Sequence, residues 1–155
     1  MTTIERSIEV DVPTRVAYDQ WTQFEEFPRF MEGVEQVRQL DDTHLHWEAE
    51  IAGVHREWDA EIVEQKPDAR VSWRSIDGTR NAGTVTFAPL DVDRTAVVLQ
   101  LDVEPEGFAE KAGGALGIIE RRAKGDLERF KEFIESRGVE TGAWRGVVDE
   151  GQRRL

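Results

Sequence analysis

The stretch HLHWEAEIAGVHREWDAE, residues 44–61, decides the architecture, because its two halves mirror each other about Ala52-Gly53. Antiparallel pairing around that turn sets Ile51 opposite Val54, Ala49 opposite Arg56, Trp47 opposite Trp58 and Leu45 opposite Ala60, all on one face. The other face then carries Glu50 with His55, Glu48 with Glu57, His46 with Asp59 and His44 with Glu61. A hairpin whose faces separate this way by polarity rests one side on a core and leaves the other in water.

The same period of two continues on both sides of the hairpin. Strands are predicted near 3–12, 34–40, 70–76, 82–89 and 95–103, divided by turn signals such as Lys66-Pro67-Asp68 and Asp77-Gly78. Parity puts Val71, Trp73 and Ser75, then Val85 and Phe87, then Val97, Leu99, Leu101 and Val103 on the inner side. Between the first and second strands, Pro13 suits a helix start, and Val16, Ala17, Trp21 and Phe24 follow at helical spacing. Pro28 should break that helix and leave a short second turn, closed by Gly33.

From Pro105 the period lengthens. Phe108, Ala112, Leu116, Ile119, Ala123, Leu127, Phe130 and Ile134 recur at steps of three or four and end at Gly138, a plausible C′ residue. Gly107, Gly113, Gly114 and Gly117 weaken the first half of this helix, which implies thin helix surface where the sheet or a ligand comes close. The order is βααββββββα, an α+β domain in which a curved antiparallel sheet wraps its C-terminal helix. One domain spans 1–138; 139–155 is expected to be a flexible tail, the alternative being a strap that docks Trp144.

The 155 residues carry a net charge of -12, which repels phosphate backbones and anionic headgroups and argues against nucleic acid as a partner. Without cysteine there are no disulfides, thiolate metal sites or cysteine nucleophiles. Neither a signal-peptide pattern nor a long apolar run occurs, so the expected location is cytoplasmic, with no membrane insertion.

This order of elements, with PTRVAYDQWTQFEEFPRFMEGVEQV at 13–37 and EGFAEKAGGALGIIERRAKGDLERFKEFIESRG at 106–138, resembles the polyketide cyclase/dehydrase branch of the START-like (SRPBCC, helix-grip, Bet v 1-like) superfamily. The most specific element is Trp21-x-x-Phe24-x-x-Phe27-Pro28-x-Phe30-Met31. The resemblance implies a cavity between sheet and C-terminal helix for lipids, polyketides, quinones or similar molecules. It does not imply one reaction, because the fold hosts many functions.

The candidate ligand-binding residues are Trp47, Trp58, Trp73, Phe87, Leu99 and Leu101 on the sheet, Phe30 and Leu116 from the helical parts, and the polar Arg56 and Ser75. The aromatics would equally serve as plain core packing under the helix. Arg56 is the more diagnostic residue, because parity gives it no inner-face carboxylate, and a ligand carboxylate, phenolate or carbonyl could satisfy it. His44, His46 and His55 fall on the wet face, which argues against a metal site, and no nucleophile arrangement or phosphate loop is present. No catalytic residue, metal or cofactor is assigned.

The expected function is binding of a small hydrophobic ligand. The alternatives are an aromatase-type polyketide cyclase or dehydratase using the same pocket, and an interaction module like the superfamily's chaperone activators. A homodimer is left open.

Overall fold

The computed structural model describes residues 2–51, 53–78, 80–103 and 115–154, with side chains described except at 2, 51, 115, 116, 153 and 154. Seven strands form one antiparallel path: β1 (Thr2–Val10), β2 (Val34–Gln39), β3 (His44–Ile51), β4 (Val54–Lys66), β5 (Arg70–Gly78), β6 (Asn81–Asp91) and β7 (Arg94–Val103), in spatial order β1-β7-β6-β5-β4-β3-β2. The β3–β4 register is the one the sequence dictates, with Trp47 opposite Trp58 and Ala49 opposite Arg56. Parity holds along both strands: Leu45, Trp47, Ala49, Trp58 and Ala60 are buried. β4 carries register shifts at Asp59/Ala60 and Ile62/Glu64, and such bulges add the local bend and twist that curl a long strand around a core.

The concave face is filled from two sides. Pro13 caps α1 (Thr14–Trp21), where its missing N–H leaves no bond unmade, and Pro28 sits in the short 3-10 helix Phe24–Arg29 that follows. Trp21 is the hub of an aromatic cluster, with ring centroids 5.4 Å from Phe27, 5.0 Å from Phe130 and 6.3 Å from Phe87. Helix α2 (Ala115–Arg137) lays Ile119, Ala123, Leu127, Phe130 and Ile134 against the sheet, all buried. Each of the larger ones contributes about 1.5–3 kcal/mol by leaving water. Gly138 closes α2 at φ 73, its N–H on the carbonyl of Ile134, as expected of a C′ glycine.

Two expectations are corrected or fall outside the described residues. Gly117 does not mark a close approach, since a side chain there would meet open space. Gly107, Phe108, Ala112, Gly113 and Gly114 lie outside the described residues, and Leu116 lies in α2 with its side chain outside them.

The stretch after Gly138 differs from a loose tail. It forms a hairpin of β8 (Val147–Asp149) and β9 (Gln152–Arg154), and Val148 pairs with Gln65 of β4 and is buried. Gln20 holds Thr141 through two hydrogen bonds, Thr22 Oγ1 accepts the Trp144 N–H, and Trp144 packs on the core. Arg145 bridges Asp19, which is 1% exposed, and Asp68 at 2.8 Å. Periodicity misses this strap because polar side chains and one buried valine, not an amphipathic pattern, hold it.

Candidate ligand cavity

Between the inner face of the sheet and α2 lies a cavity of about 150 Å³. Its wall is almost wholly apolar: Trp21, Phe24 and Phe27 at one end, Leu45, Trp47, Trp58, Trp73, Leu99 and Leu101 along the sheet, and Ile119, Ala123 and Leu127 from α2. The cross-strand pair Trp47 and Trp58 stack at 5.8 Å and 8°, which the register enforces by setting them directly opposite on one face. Trp73 reaches the wall because its partner across β6 is Gly83, where a Cβ would sit 2.4 Å from the indole. A dry cavity of this size holds one benzene-sized ring.

Two of the lining residues, Trp21 and Trp47, bury an indole Nε1 that has no partner among the described residues. A buried donor left unmade costs about 1–3 kcal/mol, so it calls for a water or a ligand oxygen.

The polar part of the wall comes from Asn81, Arg122 and Asp126. Asp126 Oδ1 accepts the Glu32 N–H at 3.0 Å and an Arg129 guanidinium hydrogen. Arg122 Nη1 donates to the carbonyls of Glu32 at 3.0 Å and Glu50 at 2.7 Å, and Arg129 Nε to that of Phe30 at 3.0 Å. Arg122, Asp126 and Arg129, spread over two turns of α2, thus hold the segment between the 3-10 helix and β2, and Arg122 also holds the end of β3. Gly33 is required there: its φ is 85, and a Cβ would fall on the Arg122 guanidinium. Burial pushes the Asp126 carboxyl up to about 6, against the lowering effect of Arg129, the Glu32 N–H and Arg122.

Residues 10–132 match the family model described as polyketide cyclase/dehydrase and lipid transport. This chain belongs to that family. An uncharacterised 17.2 kDa protein of Streptomyces lincolnensis is 56% identical over 149 residues, 96% of this chain and 99% of its own length. Among solved structures, a Deinococcus radiodurans protein is 26% identical with a TM-score of 0.68, covering 89% of this chain and 100% of that one. A Streptomyces aromatase/cyclase is 18% identical with a TM-score of 0.74, covering 92% and 99%. A START superfamily protein of Mycobacterium smegmatis is 18% identical with a TM-score of 0.69, covering 87% and 95%. At these last identities the likeness is one of fold.

In this member of the polyketide cyclase/dehydrase family, the sequence-derived candidates divide. Trp47, Trp58, Trp73, Leu99 and Leu101 line the cavity together. Phe30 and Phe87 instead pack into the aromatic cluster, Phe30 5.3 Å from Phe130 and Phe87 5.5 Å from Tyr18. Ser75 stands one layer back, its Oγ accepting the backbone N–H of the lining residue Asn81 at 3.0 Å. Arg56 shares the inner face and buries its Nε without a partner among the described residues, yet it is not among the residues that line the cavity.

Sequence reasoning does not find Arg122 and Asp126, which stand in a run of mixed charge, Glu120 to Glu135, of the kind that normally marks a solvated helix face. Asp126 stands seven residues after Ile119, nearly two full turns, so it falls on the edge of the apolar stripe rather than opposite it. That offset was the available signal.

The histidines occupy the convex face. His46 is flanked by Asp59 at 2.6 Å and Glu57 at 3.2 Å, and His55 by Glu35 at 2.9 Å; these carboxylates raise both imidazoles above their ordinary range. His46, Glu48 and Glu57 bring one ligand atom each within 4.8 Å, but both His46 ring nitrogens already serve carboxylates. Among the described residues no helix is long and apolar enough to cross a membrane.

Proposed function

We propose that this protein binds one small hydrophobic ring compound in the cavity between sheet and α2. The observation that carries the reading is a ring-sized space walled by Trp21, Trp47, Trp58 and Trp73, two of which bury an indole N–H that has no acceptor among the described residues. Core packing alone favours filled space and satisfied donors, so the combination points to an occupant with an oxygen atom. Family membership supports the same reading. Native mass spectrometry after incubation with one-, two- and three-ring compounds tests it: one-ring compounds are retained one to one and three-ring compounds are not. A protein that retains none of them refutes the proposal.

A second reading is supported by Asp126. A carboxyl in the wall that titrates near 6 is suited to exchange protons with a bound poly-ketone, as a cyclase or dehydratase requires. A fold shared with an aromatase/cyclase agrees with it. The test is turnover of a short poly-ketone mimic: Asp126→Asn should lower the rate at least tenfold, the lower range for a general acid or base. Equal rates in both proteins would remove this reading and leave the binding one intact.

A further inference from the structure

Arg122 and Asp126 are the charged residues among those described in the cavity wall, and what remains unused on them sets what a ligand can offer. Arg122 Nη1 is committed to two backbone carbonyls. Arg129 holds the Phe30 carbonyl, Asp126 and, at 3.4 Å, the Glu32 carboxylate. Asp126 spends Oδ1 on two donors, while Oδ2 makes no hydrogen bond among the described residues. The side chain is 14% exposed and lines the cavity, and Oδ2 is its oxygen without a donor among the described residues.

Resting on the ligand-binding reading above, we propose that Asp126 is a specificity residue that selects a neutral ring bearing a hydroxyl group, a phenol or enol, and rejects the corresponding ring carboxylate. The hydroxyl hydrogen goes to Asp126 Oδ2. A hydroxyl oxygen or neighbouring ketone supplies the acceptor that the Trp21 and Trp47 indoles lack among the described residues. A ligand carboxylate brings no hydrogen for Oδ2 and adds a second anion beside a buried one. Facing Asp126 are Arg122 and Arg129 of α2 and, largely in solvent, the Glu32 carboxylate of the preceding turn. The raised pKa of Asp126 agrees: burial outweighs both guanidinium groups, so the site already holds one poorly compensated anion. Arg56, the cation a carboxylate would otherwise seek, lies outside the lining.

Calorimetric titration with toluene, phenol and benzoate at about pH 7.5 tests this, since phenol is then neutral and benzoate ionised. Phenol is expected to bind about tenfold or more tightly than toluene, the size of one charge-assisted hydrogen bond, and benzoate more weakly than either. In Asp126→Asn, which keeps an oxygen for Glu32 and Arg129, toluene affinity should be unchanged and the phenol-to-benzoate ratio should fall at least about tenfold. If benzoate binds as tightly as phenol, or if Asp126→Asn leaves the ratio unaltered while toluene still binds, the assignment to Asp126 is overturned and the ligand-binding reading survives. If none of the three binds, the ligand-binding reading itself falls.

Discussion

Replacing Asp126 by Asn should make the protein more stable at neutral pH and should not do so in acid. The carboxyl moves from an ordinary 3.8 to about 6 on folding because burial penalises its charged form. A raised carboxyl pKa means that the folded chain holds a proton the unfolded chain has released. Its contribution is therefore favourable below about pH 4, is lost as pH rises through the window from 3.8 to about 6, and stays lost above it. Two units at ~1.4 kcal/mol each put the cost of ionising Asp126 at about 3 kcal/mol. Asn has the shape of the neutral acid and keeps an acceptor for the Glu32 N–H and Arg129, so it escapes that cost. For a domain of 155 residues the gain corresponds to a Tm about 6–12 °C higher at pH 7.5, shrinking to nearly nothing at pH 4. Thermal and urea unfolding of both proteins from pH 4 to 8 measures it. A difference that does not vary with pH, or a destabilised variant at pH 7.5, would show that the carboxyl is well solvated or that its two hydrogen bonds dominate. Stability surrendered at a charged group in a cavity wall is the pattern expected where function sets the residue.

Gly83→Ala should drive the Trp73 indole away from β6, costing about 1–3 kcal/mol in urea unfolding and weakening ring binding in calorimetry, because a Cβ there lies 2.4 Å from the ring. Trp58→Ala removes one member of the stacked pair and should cost about 3–5 kcal/mol while letting two-ring compounds bind in native mass spectrometry. Arg145→Ala leaves the buried Asp19 carboxylate without its partner on the strap; it should destabilise by about 2 kcal/mol and speed amide exchange at 147–149, whereas unchanged exchange there would mean the hairpin is held by Val148 and Gln65 alone.

Alternation made most of the sheet legible. Residues 44–61 read out their own register, and every later strand was found within a few residues, because a one-residue slip would have turned Trp47, Trp58 and Trp73 into water. The same logic found the aromatic wall. It could not separate Phe30 and Phe87, packed against other rings, from the tryptophans that face open space, since parity gives the face and not the depth. Arg56 stood out for lacking an inner-face carboxylate, and it is indeed buried at Nε, but position along β4 keeps it off the wall. Asp126 was hidden in a run of mixed charge on the helix; its seven-residue offset from Ile119 points to the edge of the apolar stripe, but its contact with the Glu32 backbone is tertiary and no local pattern encodes it. The strap, read from the sequence only as the alternative to a flexible tail, is likewise held by tertiary contacts such as Gln20 with Thr141.

Ligand binding here requires an occupiable space whose lining indoles, Trp21 and Trp47, have donors unmet among the described residues. A 15N-correlated proton spectrum of the uniformly labelled protein resolves the indole N–H groups, and titration with cyclohexanone, a single ring with one acceptor, reads them directly. The account predicts saturable downfield shifts for Trp21 and Trp47, with Trp144 of the strap unmoved. Signals that stay in place at saturating ketone, or that all drift together without saturating, would contradict it.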